Sequence, residues 1–166
     1  MARLDGDEKQ VDERAVLGSH SFFGAFSYAI DSKGRTVIPT TYRDALGDTF
    51  TMAVTRDFNA IALYPNAVYD KLLTELESMN KRKPVVQKYT DEFYKWTYRD
   101  MSHDGQGRIQ IPAMLRQLML GEEKELEISG ALNHIRIVGS QKARTEDINF
   151  MKNIDTILEE IGNLGD

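Results

Sequence analysis

Two pairs of oppositely charged side chains recur at the same spacing. Asp31 precedes Arg35 by four residues, and 73 residues further along Asp104 precedes Arg108 in the same way. A carboxylate at the start of a turn accepts hydrogen bonds from nearby backbone N–H groups, and a guanidinium can donate two parallel hydrogen bonds to one partner. The pattern indicates either an internal ion pair that braces a turn or an arginine presented to an external acceptor.

Each pair belongs to a longer motif that the chain carries twice. The first copy reads Asp31-Ser-Lys-Gly-Arg-Thr-Val-Ile-Pro-Thr-Thr-Tyr-Arg43, and the second reads Asp104-Gly-Gln-Gly-Arg-Ile-Gln-Ile-Pro-Ala-Met-Leu-Arg116. They are identical at six of thirteen positions. After one inserted residue the likeness continues, with residues 50–64 running alongside residues 124–138. We interpret this self-similarity as a tandem duplication.

The motif predicts the elements that position the charged pairs. Alternating apolar residues lead into the turn after Ile30, where Gly34 (Gly107 in the second copy) supplies the left-handed conformation of a bulged hairpin. Pro39 suits the first turn of a helix, which predicts a short helix over residues 40–46. A second hairpin is then predicted over residues 50–54 and 60–64.

Helices are predicted between and after the two copies. Asn66 is a candidate N-cap, and an apolar face at three- or four-residue intervals follows it. A second helix is predicted from about residue 85 to residue 101, and a C-terminal amphipathic helix is predicted near the end. The apolar faces are predicted to be core or subunit contacts. Their members are Val68, Leu72, Leu76 and Met79; Val86, Tyr89, Phe93 and Trp96; and Ile148, Met151, Ile154, Leu158 and Ile161.

The predicted fold class is α+β, with two small units that share one core about a pseudo-twofold axis, because a unit of roughly 70 residues buries little by itself. We expect a β-barrel or interleaved hairpins decorated by helices. The predicted division is an N-terminal extension over residues 1–20, expected to be disordered, a first unit over residues 21–83, a connecting helix over residues 84–102, and a second unit over residues 103–166.

Composition places the 166 residues among soluble globular chains and excludes several classes. The absence of cysteine excludes disulfides, thiolate metal sites and a cysteine nucleophile, and the lack of a long apolar run predicts a cytoplasmic chain without membrane helices. The net charge of −5 disfavours a nucleic-acid partner at first sight. However, residues 1–20 and 143–166 contribute −2 and −4, so residues 21–142 carry +1. Whether residues 21–142 can bind a nucleic acid therefore depends on the local distribution of charge and not on the net charge of the chain.

The motifs resemble the MraZ family of bacterial transcriptional regulators. The likeness rests on Phe22-Phe-Gly24, Asp31-x-x-Gly-Arg35 with Val37-Ile-Pro39, and Asp104-x-x-Gly-Arg108 with Ile111-Pro112, and it covers about residues 22–162. The resemblance implies two AbrB-like swapped-hairpin units per chain and a ring-shaped homo-oligomer associated with the nucleoid. It also implies binding to short direct repeats in double-stranded DNA upstream of the division-and-cell-wall gene cluster, with regulation of the family member's own gene. Two features depart from the family pattern, namely the 20 residues before Ser21 and Gln106 where the first copy has Lys33.

The resemblance and the chemistry together assign candidate roles. A β-ribbon fits the DNA major groove, where an arginine can donate to O6 and N7 of guanine, so Arg35 is the leading base reader and Arg108 its partner or a phosphate contact. Lys33, Arg43 and Arg116 are predicted to contact the DNA backbone. Asp31 and Asp104 are predicted to brace the turns or hold the arginines, together with the turn glycines Gly34 and Gly107. The basic run 81–83 is interpreted as a solvated linker.

Two rival functions stay open at this stage. An enzyme is disfavoured because His20, His103 and His134 lack metal-ligand spacing and no phosphate-binding glycine loop is present, so no catalytic residue, metal, cofactor or small-molecule substrate is predicted. An AbrB-like antitoxin or protein-interaction module remains the alternative. Such antitoxins usually have one copy and a disordered tail, whereas this chain has two copies and a regular amphipathic C-terminus.

Overall fold

The computed structural model describes residues 21–165, which form an α+β fold of eight strands and six helices. The prediction of a disordered extension over residues 1–20 lies outside the described residues. The strands are β1 (Ala25–Ala29), β2 (Arg35–Val37), β3 (Thr49–Val54), β4 (Ile61–Pro65), β5 (Tyr98–Ser102), β6 (Arg108–Gln110), β7 (Glu125–Gly130) and β8 (Ile135–Gly139). The helices are α1 (Thr40–Leu46), α2 (Asn66–Glu77), α3 (Pro84–Lys95), α4 (Ala113–Leu120), α5 (Ser140–Lys152) and α6 (Ile154–Leu164).

The strands form two antiparallel sheets. The larger sheet has the order β1-β7-β8-β4-β3-β5, and β2 pairs with β6 in a separate two-stranded ribbon. The two copies contain equivalent strands, namely β1 and β5, β2 and β6, β3 and β7, and β4 and β8. If each strand of the larger sheet is replaced by its equivalent, the order of the six strands reads the same in reverse, and β2 still pairs with β6. Strands of the two copies are thus interleaved: β1 pairs with β7, and β5 pairs with β3.

The core lies between the larger sheet and the helices that cover it. Strands β3 and β4 are almost fully buried, as expected for central strands that are covered on both faces. Tyr69 of α2 stacks on Phe93 of α3, with ring centroids 6.3 Å apart. Both rings belong to one cluster of buried residues that also includes Phe22, Phe50 and Leu126, each fully buried. The two copies therefore share one hydrophobic core.

Register in the sheet corrects the alignment of the two copies. Phe50 pairs with Met101 and Pro65, and the equivalent pairs in the other half are made by Leu126 with Tyr28 and Gly139. Phe50 therefore corresponds to Leu126, whereas the alignment of the two sequence copies matched it with Lys124. The loop before β7 is two residues longer than its counterpart, and the β7–β8 loop is two residues shorter than the β3–β4 loop.

The predicted helix over residues 85–101 is correct only for its first part. Helix α3 ends at Lys95, and Tyr98–Ser102 is strand β5, the counterpart of β1. The division of the chain into units, with its connecting segment 84–102, stays a prediction. Asn66 is also not an N-cap, because helix α2 begins at this residue and its side chain hydrogen-bonds with Thr51 Oγ1 at 2.9 Å. The short helix over residues 40–46 is confirmed.

The C-terminal helix is divided in two at Asn153, although the backbone N–H of Asn153 and Ile157 still donate to carbonyls four residues earlier. Helix α6 has no buried residue. Of the two alternatives predicted for its apolar side chains, burial in the core of the chain is therefore wrong for α6, and a role as subunit contacts stays a prediction. The exposed large apolar side chains of this region are Ile148, Phe150, Met151, Leu158, Ile161 and Leu164.

Candidate nucleic-acid interface

The two Asp-x-x-Gly-Arg turns have the same backbone geometry. In the first, Asp31 Oδ1 accepts hydrogen bonds from the backbone N–H of Lys33 and Arg35 at 2.9 and 2.8 Å. In the second, Asp104 Oδ1 accepts from the backbone N–H of Gln106 and Arg108, both at 2.9 Å. An aspartate that accepts from residues two and four positions later closes the turn locally. This explains why both motifs begin with aspartate.

The same aspartates hold the arginine side chains. The Nε of Arg35 donates to Asp31 Oδ2 at 2.8 Å, and the Nε of Arg108 donates to Asp104 Oδ2 at 2.7 Å. The hydrogen bond to each aspartate is donated by Nε, and the two amino groups at the end of each guanidinium donate no hydrogen bond within residues 21–165. More than a third of each arginine side chain is exposed. Each turn thus presents an oriented pair of N–H₂ groups to the solvent.

These contacts keep the aspartates ionised. The backbone N–H of Arg35 is the main cause of a lowered pKa at Asp31, and the guanidinium of Arg35 lowers it further. The backbone N–H and the guanidinium of Arg108 lower the pKa of Asp104 to about 2. At neutral pH both carboxylates are therefore charged and able to orient their arginines.

The turn glycines make room for an arginine from the other copy. Gly34 and Gly107 have φ angles of 81° and 78°, which side-chain-bearing residues rarely adopt. A Cβ on Gly34 would lie 1.7 Å from Arg116 Nη1, and a Cβ on Gly107 would lie 2.3 Å from Arg43 Cζ. Arg116 of α4 thus lies over the first turn, and Arg43 of α1 lies over the second.

The ribbon of β2 and β6 brings the two turns onto one face. Arg35 pairs with Gln110, and Val37 pairs with Arg108. Thr36 and Ile109 alternate with these residues and are buried, so the other four side chains share the outer face. Arg35 and Arg108 are diagonal neighbours on this face, for which the usual separation is about 7–8 Å.

We call the outer face of the ribbon, together with the two turns and the arginines that lie over them, the basic face. It carries all five cationic residues that were predicted to bind DNA. Lys33, Arg35 and Arg116 lie at the first turn, and Arg43 and Arg108 lie at the second. Only Asp31 and Asp104 among the turn residues oppose them. The local excess is positive although the whole chain carries −5. The local charge distribution therefore favours an anionic partner at this face.

Sequence reasoning missed one residue of the basic face. The side-chain amide of Gln110 donates a hydrogen bond to the backbone carbonyl of Lys33, at the tip of the first turn. The corresponding carbonyl in the second turn belongs to Gln106, and it accepts from Arg43 Nη2 at 3.1 Å. The sequence shows only that Gln110 lies two residues after Arg108. Its contact with the first turn cannot be inferred without knowing that β2 pairs with β6.

The remaining candidates lie away from the basic face or have local partners. Lys81 forms an ion pair with Glu77 at 2.8 Å in the turn between α2 and α3. His103 Nδ1 contacts the backbone carbonyl of Asp104 at 2.8 Å, and the ring of His134 stacks on Tyr64. His20 lies outside the described residues. Within residues 21–165 no group of three or more histidine, aspartate and glutamate residues is arranged to hold a metal ion.

No helix between residues 21 and 165 is both long enough and apolar enough to span a membrane.

Comparison with known proteins identifies relatives that match most of the chain. Residues 21–90 match the family model described as "MraZ protein, putative antitoxin-like". A protein of Lachnoclostridium phytofermentans named "Transcriptional regulator MraZ" is 31% identical over 146 residues, which cover 87% of this chain and 97% of the relative. A protein of the same name from Lactiplantibacillus plantarum is 31% identical and covers 84% of this chain and 97% of the relative.

A third relative of that name, from Roseiflexus castenholzii, is 33% identical over 121 residues and covers 70% of this chain and 79% of its own. The matches that cover 87% and 84% of this chain must span both Asp-x-x-Gly-Arg turns and the β2–β6 ribbon. With this extent of identity and coverage, the chain belongs to the MraZ family.

Proposed function

We propose that this protein is a sequence-specific, DNA-binding transcriptional regulator. The observation that carries the proposal is the β2–β6 ribbon, which holds Arg35 and Arg108 on one face with their terminal amino groups unpaired among residues 21–165. A two-stranded ribbon of this kind fits the major groove, and paired N–H donors match O6 and N7 of guanine. The relatives, which are named transcriptional regulators, support the same function.

The residues of the basic face have distinct roles in this proposal. Arg35 reads a base, and Arg108 reads a second base or binds a phosphate. Lys33 is exposed at the tip of its turn and anchors a phosphate, which positions the protein without reading sequence. Asp31 and Asp104 orient the arginines through the Nε contacts and do not face the DNA, because phosphates repel carboxylates.

We propose that the architecture is a duplicated AbrB-like swapped-hairpin barrel, with units over residues 21–83 and 103–166 and a connecting segment over residues 84–102. The last part of that segment, strand β5, completes the second unit as the counterpart of β1. The reversible strand order and the pairing of β1 with β7 and of β5 with β3 support this interpretation. One consequence is that neither half can present its turn in the observed position without the other.

We further propose that the protein acts as a ring-shaped homo-oligomer on tandem repeats in promoter DNA. A single ribbon has few contacts and binds weakly at physiological salt, whereas linked copies gain affinity when several repeats are engaged at once. The exposed apolar side chains of α5 and α6 support self-association, since a surface of this kind usually marks an interface. Following the family, the regulated genes are its own operon in the division-and-cell-wall cluster, where it represses transcription in association with the nucleoid.

A mobility-shift experiment tests the proposed function. The probes are a duplex from the region upstream of the chain's own gene and a scrambled duplex of equal composition. We expect the wild-type chain to shift the first probe in discrete steps and Arg35→Ala to abolish this preference. The matched control is Arg56→Ala, which removes an equally cationic residue whose ion pair with Glu75 lies outside the basic face.

The outcomes separate specific binding from general attraction. Equal binding of both probes by the wild-type chain would exclude sequence-specific recognition. A fold lost in Arg35→Ala, judged by circular dichroism, would mean that the Asp31–Arg35 pair is a structural brace only. Increasing salt should weaken the complex steeply, because each neutralised phosphate releases counterions.

Sedimentation velocity tests the proposed oligomer. The double substitution Leu158→Ser/Ile161→Ser removes apolar surface from α6 without touching a buried residue. We expect it to lower the sedimentation coefficient of the wild-type assembly, while the neighbouring control Glu159→Gln leaves the coefficient unchanged. A wild-type chain that sediments as a monomer at all concentrations would contradict the proposal.

A second candidate function is an antitoxin-like or protein-interaction module. The description of the matching family model favours it, and the exposed face of α6 offers a surface for a protein partner. This function predicts a complex held together by apolar burial, which tolerates salt. A partner complex that persists at salt concentrations that remove all DNA would favour it over DNA binding.

A further inference from the structure

Arg43 and Arg116 occupy equivalent positions in the two copies but have different partners. Arg43 Nε donates to the backbone carbonyl of Ile38 at 3.0 Å, and its Nη2 donates to the carbonyl of Gln106 at 3.1 Å. Arg116 lies against Gly34 in the same way, yet its guanidinium makes no hydrogen bond or ion pair in the described part of the chain. The guanidinium of Arg43 is thus hydrogen-bonded to backbone carbonyls, whereas the N–H donors of Arg116 are available to a ligand.

One pair of equivalent residues, Gln110 and Val37, accounts for the difference at the Nη2 contact. In the first turn the carbonyl of Lys33 accepts a hydrogen bond from the side chain of Gln110. The residue equivalent to Gln110 in the other copy is Val37, which has no donor, so the corresponding carbonyl of Gln106 is left for Arg43. Gln110 therefore donates to the Lys33 carbonyl in the role that Arg43 Nη2 has at the Gln106 carbonyl, and Arg116 makes no such hydrogen bond within residues 21–165.

We propose that Arg116 binds a DNA backbone phosphate beside the first turn, whereas Arg43 is a positioning residue that holds the second turn in shape. This proposal rests on the proposed function, because it assigns roles within the same basic face. Arg116 and Lys33 flank Gly34, so the first turn concentrates cationic donors around Arg35. The second turn has Gln106 in place of Lys33 and an arginine that is already engaged. The end of the ribbon at the first turn is thus the main phosphate-binding end, with Lys33 from the first copy and Arg116 from the second.

The experiment measures the affinity of the full chain for the upstream duplex and for the scrambled duplex over a series of salt concentrations. We expect Arg116→Ala to weaken binding and to reduce the slope of log affinity against log salt by about one. We expect Arg43→Ala to leave that slope unchanged, to lower the melting temperature, and to increase amide exchange at Gln106 and Gly107. Arg116→Gln, which keeps most of the side-chain volume, should reproduce the slope change of Arg116→Ala.

Two substitutions at the β2–β6 pair serve as the sharpest tests. Gln110→Val leaves the carbonyl of Lys33 for Arg116, so the salt slope should fall by about one although no charge is removed. Val37→Gln supplies a second donor to the carbonyl of Gln106, so it should restore the melting temperature and the exchange protection that Arg43→Ala loses. If both arginines had only a structural role, Gln110→Val would have the same slope of log affinity against log salt as the wild-type chain.

The outcomes distinguish this proposal from the proposed function. A wild-type chain that binds neither duplex overturns the proposed function and, with it, the phosphate contact of Arg116. A wild-type chain that binds, but whose slope falls equally in Arg43→Ala and Arg116→Ala, overturns only the division of roles. Failure of Val37→Gln to rescue Arg43→Ala overturns the positioning role of Arg43.

Discussion

At the scale of single residues, the two turns depend on aspartates that accept several hydrogen bonds each. The same carboxylate closes the turn through backbone N–H groups and orients the arginine through Nε. Because the ionised form makes all of these contacts, the order of the turn is linked to pH.

The order of the second turn should persist to unusually low pH. The pKa of Asp104 is about 2, below its ordinary value of 3.8, so the stability that it contributes is complete above pH 3.8 and is lost as the pH falls through about 2. NMR titration of the Arg108 amide and Nε protons should therefore show a midpoint near 2. A midpoint near 3.8 would contradict the proposed bracing, and Asp104→Asn should remove the titration.

Substitution of Gly107, the left-handed glycine of the second turn, should lower the stability of the fold. Gly107→Ala places a residue in the left-handed region and a Cβ against the guanidinium of Arg43, so it should lower the free energy of unfolding by at least about 1 kcal/mol. Gly105 lies in the same turn with open space around it, so Gly105→Ala should change the free energy by less than about 0.5 kcal/mol. Urea denaturation of both variants measures the difference, and equal values would contradict the argument.

At the scale of elements, the entry of the chain into the sheet is held by one tyrosine of α1. The hydroxyl of Tyr42 lies 2.6 Å from the carbonyl oxygen of Phe23 and 2.9 Å from that of Gly24. The ring is buried and makes edge-to-face contacts with Phe22 and Phe26. Helix α1 thus fixes the segment that leads into β1.

Tyr42→Phe should therefore loosen the start of β1 without disturbing the core. Loss of the donor leaves carbonyl groups with a poorer partner, which costs about 1–2 kcal/mol of unfolding free energy. Tyr28→Phe on β1 is the matched control, since the hydroxyl of Tyr28 makes no hydrogen bond to any of residues 21–165. Chemical denaturation and amide exchange at residues 22–25 provide the measurement. Equal stability of the two variants would show that the hydroxyl is dispensable.

Elements governed by local chemistry were predictable, and those governed by distant pairing were not. Pro39, which suits the start of a helix, predicted α1 at its observed bounds. Strand β5 was missed because Arg99 and Asp100 obscure its alternation and because apolar residues of α3 continue toward it. The duplication itself carried the signal, since Tyr98–Ser102 lies 73 residues after Ala25–Ala29.

The candidate site divides in the same way. The five cationic residues were identified from the repeated motif, because their type and spacing are local properties. The role of Gln110 was not, because it acts on a carbonyl 77 residues away, and the contact exists only after β2 and β6 pair. The contrast between Arg43 and Arg116 depends on that contact and was equally hidden.

At the scale of the whole molecule, interleaving should make the two copies unfold together. Strands of each copy pair with strands of the other, and both contribute to one core. Trp96 is the only tryptophan, and it lies between α3 and β5, where the chain passes from one copy to the other. We expect its fluorescence and the far-ultraviolet circular dichroism to change in one coincident urea transition. Two separated transitions would indicate independent units.

The fusion of two copies in one chain has a consequence for how a DNA site is oriented. A dimer of identical chains presents the same residue twice, so it suits a palindrome. In this chain positions 37 and 110 hold different residues, and the ribbon therefore has a distinguishable left and right end. Under the proposed function, such a ribbon lies on DNA in one direction only. A row of protomers that all point the same way fits repeats arranged head to tail, and a palindrome would force half of them to bind backwards.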